Sequence, residues 1–179
     1  SAPLEIFKVW NGGMSFHGGF LGVITATIIT ARKTKIPLFA VGDLLACLAP
    51  IGLFFGRIAN FINGELFGRI TDHPIGMVFP NGGPLPRHPS QLYEAFLEGF
   101  LIFIILNWLR FKKPNLPAGI LTGIFFISYG IGRILAEFTR EPDAHIGFIS
   151  TIGEIQITTG QLLSAPVLLT GFILIYLRL

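Results

Sequence analysis

Apolar residues run almost unbroken through five stretches of the chain, roughly residues 16–31, 38–58, 91–109, 118–138 and 161–177, and charged residues gather between them. Each stretch approaches the ~20 residues that a helix needs to cross a hydrocarbon layer about 30 Å thick. Barrel strands would alternate with period two, and that alternation is absent. Helices satisfy their own backbone hydrogen bonds in lipid, so the pattern predicts an all-α, polytopic integral membrane bundle with five transmembrane helices. The first stretch is short, and its start is expected between Trp10 and Phe16, where Gly12 and Gly13 blur the boundary. With no tandem repeat or low-complexity tract, a single membrane-embedded domain over residues 1–179 is the simplest partition.

Composition agrees with that pattern. The 179 residues are 51% hydrophobic and 13% charged, with a mean hydropathy of +0.68, whereas soluble domains carry about 25% charged residues. Disorder, collagen and disulfide scaffolds are excluded. A net charge of +3 without a basic stripe gives no reason to expect a nucleic-acid partner. Cys47 stands alone, so no internal disulfide forms. The chain opens at Ser1 with no secretory leader pattern, and is read as an N-terminally truncated piece of a longer polypeptide.

Basic residues set the expected orientation. Arg32, Lys33 and Lys35 fill the first loop, Arg110, Lys112 and Lys113 the third, and Arg178 ends the chain. Five alternating helices put all three places on one side, the cytoplasm. The loops at about 59–90 and 139–160 are then external (periplasmic), and Leu4, Phe7 and Trp10 are placed to rest in the outer interface. Gly18 and Gly22, Gly52 and Gly56, and Gly119 and Gly123 have the small-xxx-small spacing of closely packed helices.

Charges at the outer helix ends carry the chemical information, because an intramembrane charge persists when it pairs or binds something. On the fourth helix Tyr129, Arg133, Glu137 and Arg140 fall within about 80° of one another, one stripe bearing a phenol, a carboxylate and two guanidiniums. The second helix ends in Gly56-Arg57-Ile58-Ala59-Asn60-Phe61-Ile62-Asn63-Gly64-Glu65-Leu66-Phe67-Gly68. Its arginine suits bidentate phosphate recognition, and Gly64 and Gly68 permit a turn or a close ligand approach. His17 sits at the mouth of the first helix between glycine pairs, where a group titrating near neutrality can act as a base. In Arg87-His88-Pro89-Ser90-Gln91-Leu92-Tyr93-Glu94 the third helix begins; Glu94 and Glu98, one turn apart, repel unless one is protonated or a cation lies between them, either Arg87 or an arginine from another helix. Asp43 reads as a polar packing contact and Cys47 as a small core residue. His17, His73, His88 and His145 show no metal-ligand spacing, so no metal is expected, and neither a GxSxG elbow nor a P-loop is present.

Four stretches, Gly12 to Gly19 (GGMSFHGG), Gly56 to Gly68 (GRIANFINGELFG), Pro86 to Glu94 (PRHPSQLYE) and Tyr129 to Asp143 (YGIGRILAEFTREPD), together resemble the bacterial prolipoprotein diacylglyceryl transferase family over essentially the whole chain. The resemblance implies a seven-helix membrane bundle of the bacterial plasma (inner) membrane, of which these five are the last five. It implies transfer of the diacylglyceryl group of phosphatidylglycerol to the lipobox cysteine of a prolipoprotein signal peptide, with release of glycerol phosphate and no cofactor. Carried over position by position, it points to His17, Arg57, Asn60, Glu65, Tyr129, Arg133 and Glu137 as catalytic. Arg57, Arg133, Asn63, Gly64, Gly68, His88, Gln91 and Arg140 are the candidate phosphatidylglycerol contacts.

For that chemistry, a thiol with a pKa near ~8.5 needs a base. His17 is one candidate, and Glu65 or Glu137 is the other if burial raises its pKa. Arg57 and Arg133 would hold the phosphate, Glu65 and Glu137 would orient them, and Tyr129 and Asn60 would supply neutral hydrogen bonds. A transporter would show inverted repeats and helices broken near the midplane, and an intramembrane protease a dyad or metal pair; the sequence has none of these.

Overall fold

The computed structural model describes residues 16–141, 148–152 and 155–179. The segment 1–15, with Leu4, Phe7 and Trp10, expected from sequence at the interface, and the first half of the GGMSFHGG motif, lies outside them, as do Asp143 and His145. The chain divides into two compact units, residues 1–41 and 42–179.

In the first unit α1 (Phe16–Thr34) covers the first predicted stretch and continues through Arg32 and Lys33 to its last turn. Among the described residues four helices are long and apolar enough to cross a membrane, so this is a helical, multi-pass membrane protein. Alpha1 is not among those four, because His17 at its start and Arg32 and Lys33 in its last turn lower the mean hydropathy of a helix only 19 residues long. They are α2 (Leu38–Ile62), which begins in the first unit, α3 (Ser90–Lys112), α4 (Ile120–Glu137) and α5 (Thr159–Tyr176). A short antiparallel hairpin, β1 (Phe148–Ile152) with β2 (Ile155–Thr158), precedes α5, an addition to the all-helical expectation that falls in the predicted 139–160 loop.

Within the second unit successive helices run up and down. Asn107, near the end of α3, donates to the Cys47 carbonyl near the start of α2 at 3.3 Å, and Gly123 of α4 faces Gly171 and Ile175 near the end of α5. Ala46, Cys47, Ile102, Leu106 and Leu121 form the buried core shared by α2, α3 and α4. Large apolar side chains such as Phe55, Phe111, Leu163 and Leu169 remain exposed, the inverse of a soluble protein and the surface that lipid solvates.

Alpha3 is not a uniform helix. Ala95–Phe100 winds as a π-helix between the α-helical Ser90–Glu94 and Leu101–Lys112. Such insertions are rare and re-aim the side chains around them. A Cβ at Gly99 would lie 2.7 Å from Cα of Phe54, so α2 and α3 approach at backbone distance here and only glycine fits.

The glycine spacings divide. Gly123 packs α4 on α5 and Gly119 takes a φ of 103° at the start of α4, but Gly22, Gly52 and Gly56 meet nothing within 4 Å among the described residues. Spacing identifies a small-residue stripe without saying whether it faces a helix or the outside. Gly130 of α4 and Gly171 of α5, both outside those pairs, make the other close approaches between these two helices.

Candidate functional site

The end of α2, the start of α3, the end of α4 and the start of α5 meet at one end of the second unit, and there six ionisable side chains converge. Arg57 Nη2 lies 2.7 Å from Glu94 Oε2 and 3.4 Å from Glu98 Oε2. Arg133 Nη1 is 3.5 Å from the same Glu94 oxygen and 3.8 Å from Glu98 Oε1, while its Nη2 is 2.9 Å from Glu137 Oε2. Arg140 Nη1 reaches Glu94 Oε1 at 3.4 Å. The three guanidiniums and three carboxylates cancel formally, and the carboxylates are the deeper partners: Glu94 and Glu98 are 1% and 0% exposed, against 19% for Arg57 and 14% for Arg133.

Burying six charges is tolerable when each has opposite partners, yet the cluster is not saturated. Glu98 Oε1, Arg133 Nη1 and Glu137 Oε2 have no hydrogen bond of good geometry among the described residues. Native proteins leave few buried polar atoms in this condition, so their gathering here marks the cluster as a candidate site.

Local sequence explains the convergence. Arg57 lies one turn after Phe54, where Gly99 brings α3 against α2. A Cβ on Gly132, immediately before Arg133, would lie 3.4 Å from the Leu97 carbonyl oxygen. Leu97-Glu98-Gly99 is thus wedged between α2 and α4 beside both arginines. Glu137 lies under the first turn of α5, where a Cβ on Gly160 would be 2.5 Å from its Oε2. That helix start is closed by a capping box, Thr158 accepting from the Gln161 amide at 3.3 Å and Gln161 Oε1 accepting from the Thr158 amide at 3.2 Å. Its positive dipole end favours a carboxylate here.

The cation expected between Glu94 and Glu98 is supplied by Arg57 and Arg133 from two other helices. Arg87 turns away: it bonds Glu141 at 2.9 Å and the Gly82 carbonyl at 2.8 Å, and stacks over Phe67. Tyr129, one turn before Arg133, stacks on Phe125 and lies within electrostatic reach of Glu98, Arg133 and Arg57. The two glutamates were marked by sequence as a repulsive pair but not as site residues. Arg69, also missed, ties the loop to the end of α4 by donating to the Arg140 carbonyl at 2.9 Å.

Other candidates are placed differently. The chain leaves α2 at Ile62 and turns at Gly64 with a φ of 66°, which carries Glu65 outward. Glu65 is exposed and accepts from Asn63 Nδ2 at 3.2 Å, so it orients neither arginine, against the expectation from sequence. Its carbonyl instead takes the Gln91 side chain at 2.6 Å. Asn60 is half-buried, and its carbonyl accepts from the Glu65 amide at 3.0 Å. Gly68 is a site of close backbone approach within the protein: its amide donates to the His88 carbonyl at 2.8 Å, and a side chain would strike His88 and the Thr139 carbonyl. His88 pairs with the Tyr93 hydroxyl at 3.2 Å. His17 lies in the first turn of α1, and its side chain falls outside the described residues.

A profile of the prolipoprotein diacylglyceryl transferase family matches residues 1–177. The chain belongs to that family. Among its relatives, the phosphatidylglycerol–prolipoprotein diacylglyceryl transferase of Rhodospirillum rubrum is 57% identical over 173 residues, covering 96% of this chain and 62% of the relative. The transferases of Vibrio campbellii and Photobacterium profundum are each 54% identical over 172 residues, covering 96% of this chain and 61% and 62% of theirs. The chain therefore spans about three fifths of the length of the curated family members it matches. The six-charge cluster joins Arg57 and Glu94 with Arg133, Glu137 and Arg140, bringing three of the four sequence motifs to one place.

Proposed function

We propose that this chain is the larger part of a phosphatidylglycerol–prolipoprotein diacylglyceryl transferase of the bacterial plasma membrane, with its active face and the loops at 59–90 and 139–160 toward the periplasm or outer surface. The observation that carries this reading is the convergence of Arg57 and Arg133, from separate helices, on shared buried carboxylates. A membrane-embedded pair of guanidiniums suits a lipid phosphodiester.

In the proposed reaction the lipobox cysteine sulfur attacks the sn-3 carbon of the diacylglyceryl group. The carbon–sulfur bond forms, the carbon–oxygen bond breaks, and the bonding pair leaves with glycerol phosphate. The phosphate passes from a singly charged diester to a monoester carrying more negative charge. Arg57 and Arg133 oppose that developing charge, which lowers the barrier because they interact more strongly with the leaving group than with the bound lipid. Glu137, 2.9 Å from Arg133, holds that guanidinium, and Tyr129 and Asn60 offer neutral hydrogen bonds to the glycerol or phosphate.

His17 takes the thiol proton. Glu137 is engaged by Arg133 and Glu65 faces outward beside Asn63, which leaves the histidine as the better-suited base. His17→Gln should lose turnover and the acidic limb of its pH profile while keeping wild-type stability; near-normal turnover removes histidine from the role.

The test is to join this chain to the N-terminal portion that its relatives carry, supply phosphatidylglycerol and a lipobox peptide, and look by mass spectrometry for the diacylglyceryl thioether. Product from wild type, absent with Arg57→Ala and with a cysteine-free peptide, is the expected result. Folded, lipid-supplied protein giving no product overturns the reading.

A further inference from the structure

We infer that Glu98, acting with Glu94, is a positioning residue that fixes Arg57 and Arg133 as one two-armed clamp for the lipid phosphate, while its negative charge holds down affinity for that anion. The inference rests on the phosphate-binding role proposed for the two arginines.

Three observations converge on it. Glu98 lies in the π-helical turn of α3 and is fully buried, so its carboxylate meets the two less buried arginines from the interior side. Its neighbours set the distance between the arms: Gly99 abuts Phe54, one turn before Arg57, and Leu97 abuts Gly132, next to Arg133. Its two oxygens are divided between the arms, Oε2 toward Arg57 at 3.4 Å and Oε1 toward Arg133 at 3.8 Å. Glu94 repeats the bridge with a single oxygen, at 2.7 and 3.5 Å.

The charge count supplies the second half. Arg57, Arg133 and Arg140 against Glu94, Glu98 and Glu137 sum to zero, so a bound phosphodiester leaves the cluster with one excess negative charge. A carboxylate placed behind the arginines repels that phosphate through a medium of low dielectric. Removing the charge therefore favours binding of the anion, while freeing the guanidiniums to adopt other rotamers. Only well-placed guanidiniums are strong in the transition state. The two consequences have opposite signs, and a purely structural glutamate would not produce both together.

The experiment uses the full-length transferase in detergent micelles with phosphatidylglycerol and a lipobox peptide. Glu98→Gln should lower kcat by about tenfold or more and lower KM for phosphatidylglycerol by about threefold or more. Glu98→Asp, which keeps the charge on a shorter arm, should return KM to the wild-type value while leaving kcat depressed. Glu94→Gln is the second variant and should move both constants in the same directions as Glu98→Gln. An unchanged kcat in both Gln variants, or a KM that rises with the loss of charge, overturns the inference.

Wild-type protein that makes no thioether overturns the proposed function instead. Phosphatidylglycerol binding in the same micelles then decides the inference: Glu98→Gln must bind about threefold or more tightly than wild type, and equal binding overturns it.

Discussion

Glu94 Oε2 lies 2.7 Å from Arg57 Nη2, joining the start of α3 to the end of α2 through a carboxylate that is only 1% exposed. The same oxygen lies 3.5 Å from Arg133 on α4. One buried atom thereby relates two cations from helices whose sequence positions are 76 residues apart, 133 less 57. Placement of either guanidinium depends on the other through this shared anion, which makes the pair a unit and not two independent charges.

Arg57→Lys keeps the charge and the pairing with Glu94 but loses the planar fork that meets two phosphate oxygens at once. Transfer in the full-length protein should fall by about 10²-fold in kcat/KM, with thermal stability close to wild type. Steady-state kinetics beside a melting curve checks this; near-wild-type transfer would show that a point charge suffices at that position.

Gly160 faces the Glu137 carboxylate so closely that a Cβ would lie 2.5 to 2.8 Å from its three terminal atoms. Gly160→Ala should push Glu137 off Arg133 Nη2 and reduce turnover by about tenfold. The fold should change little, because the atoms displaced are the end of one side chain. Full activity in that variant would mean that Glu137 yields without disturbing Arg133.

How far the sequence disclosed this arrangement depends on the range of the forces involved. Helices α2 to α5 were legible because lipid solvation demands long apolar runs, and their observed ends lie within four residues of those expected. The stripe of Tyr129, Arg133, Glu137 and Arg140 was legible because helical periodicity fixes which positions share a face. The π-turn was hidden, since it arises where α3 meets Phe54 across a tertiary contact and Gly99 alone gives no hint of its register. Glu65 was misread for a related reason: motif membership placed it near Arg57, but the left-handed turn at Gly64 directs it outward. The partners of Glu94 could be stated as a class, a cation from elsewhere, but choosing among Arg57, Arg87 and Arg133 required knowing which helix ends meet.

Glycines within the apolar helices should respond differently to substitution according to what they face. A Cβ at Gly171 would lie 2.7 Å from Ile127 Cγ1 and 2.8 Å from the Gly123 carbonyl, so a larger side chain must separate α4 from α5. Gly171→Val should cost about 1 to 3 kcal/mol or more, read as a lowered Tm in detergent. Gly52→Ala, with nothing within 4 Å among the described residues, should leave Tm unchanged or raised, because alanine is the better helix former by about 1 kcal/mol. Equal losses in both variants would place a partner against Gly52.

At the opposite end of the same helices, Asp43 of α2 caps α4 across a tertiary contact. Its Oδ2 accepts from the Gly119 amide at 2.8 Å, and its Oδ1 accepts from the Thr122 amide at 2.8 Å and the Thr122 hydroxyl at 2.7 Å. Gly119 has no side chain to cap the helix itself and sits at a φ of 103°, so the first-turn donors of α4 are satisfied by another helix. The negative charge also meets the positive end of the α4 dipole. Asp43→Asn retains one acceptor oxygen and presents an amide toward donors, which should cost about 1 to 2 kcal/mol. Asp43→Ala leaves the buried donors unpaired and should cost more. Because the six-charge cluster lies at the far end of α4, catalytic constants of the folded fraction should stay near wild type while Tm falls. Loss of turnover without loss of Tm would instead tie this cap to the chemistry.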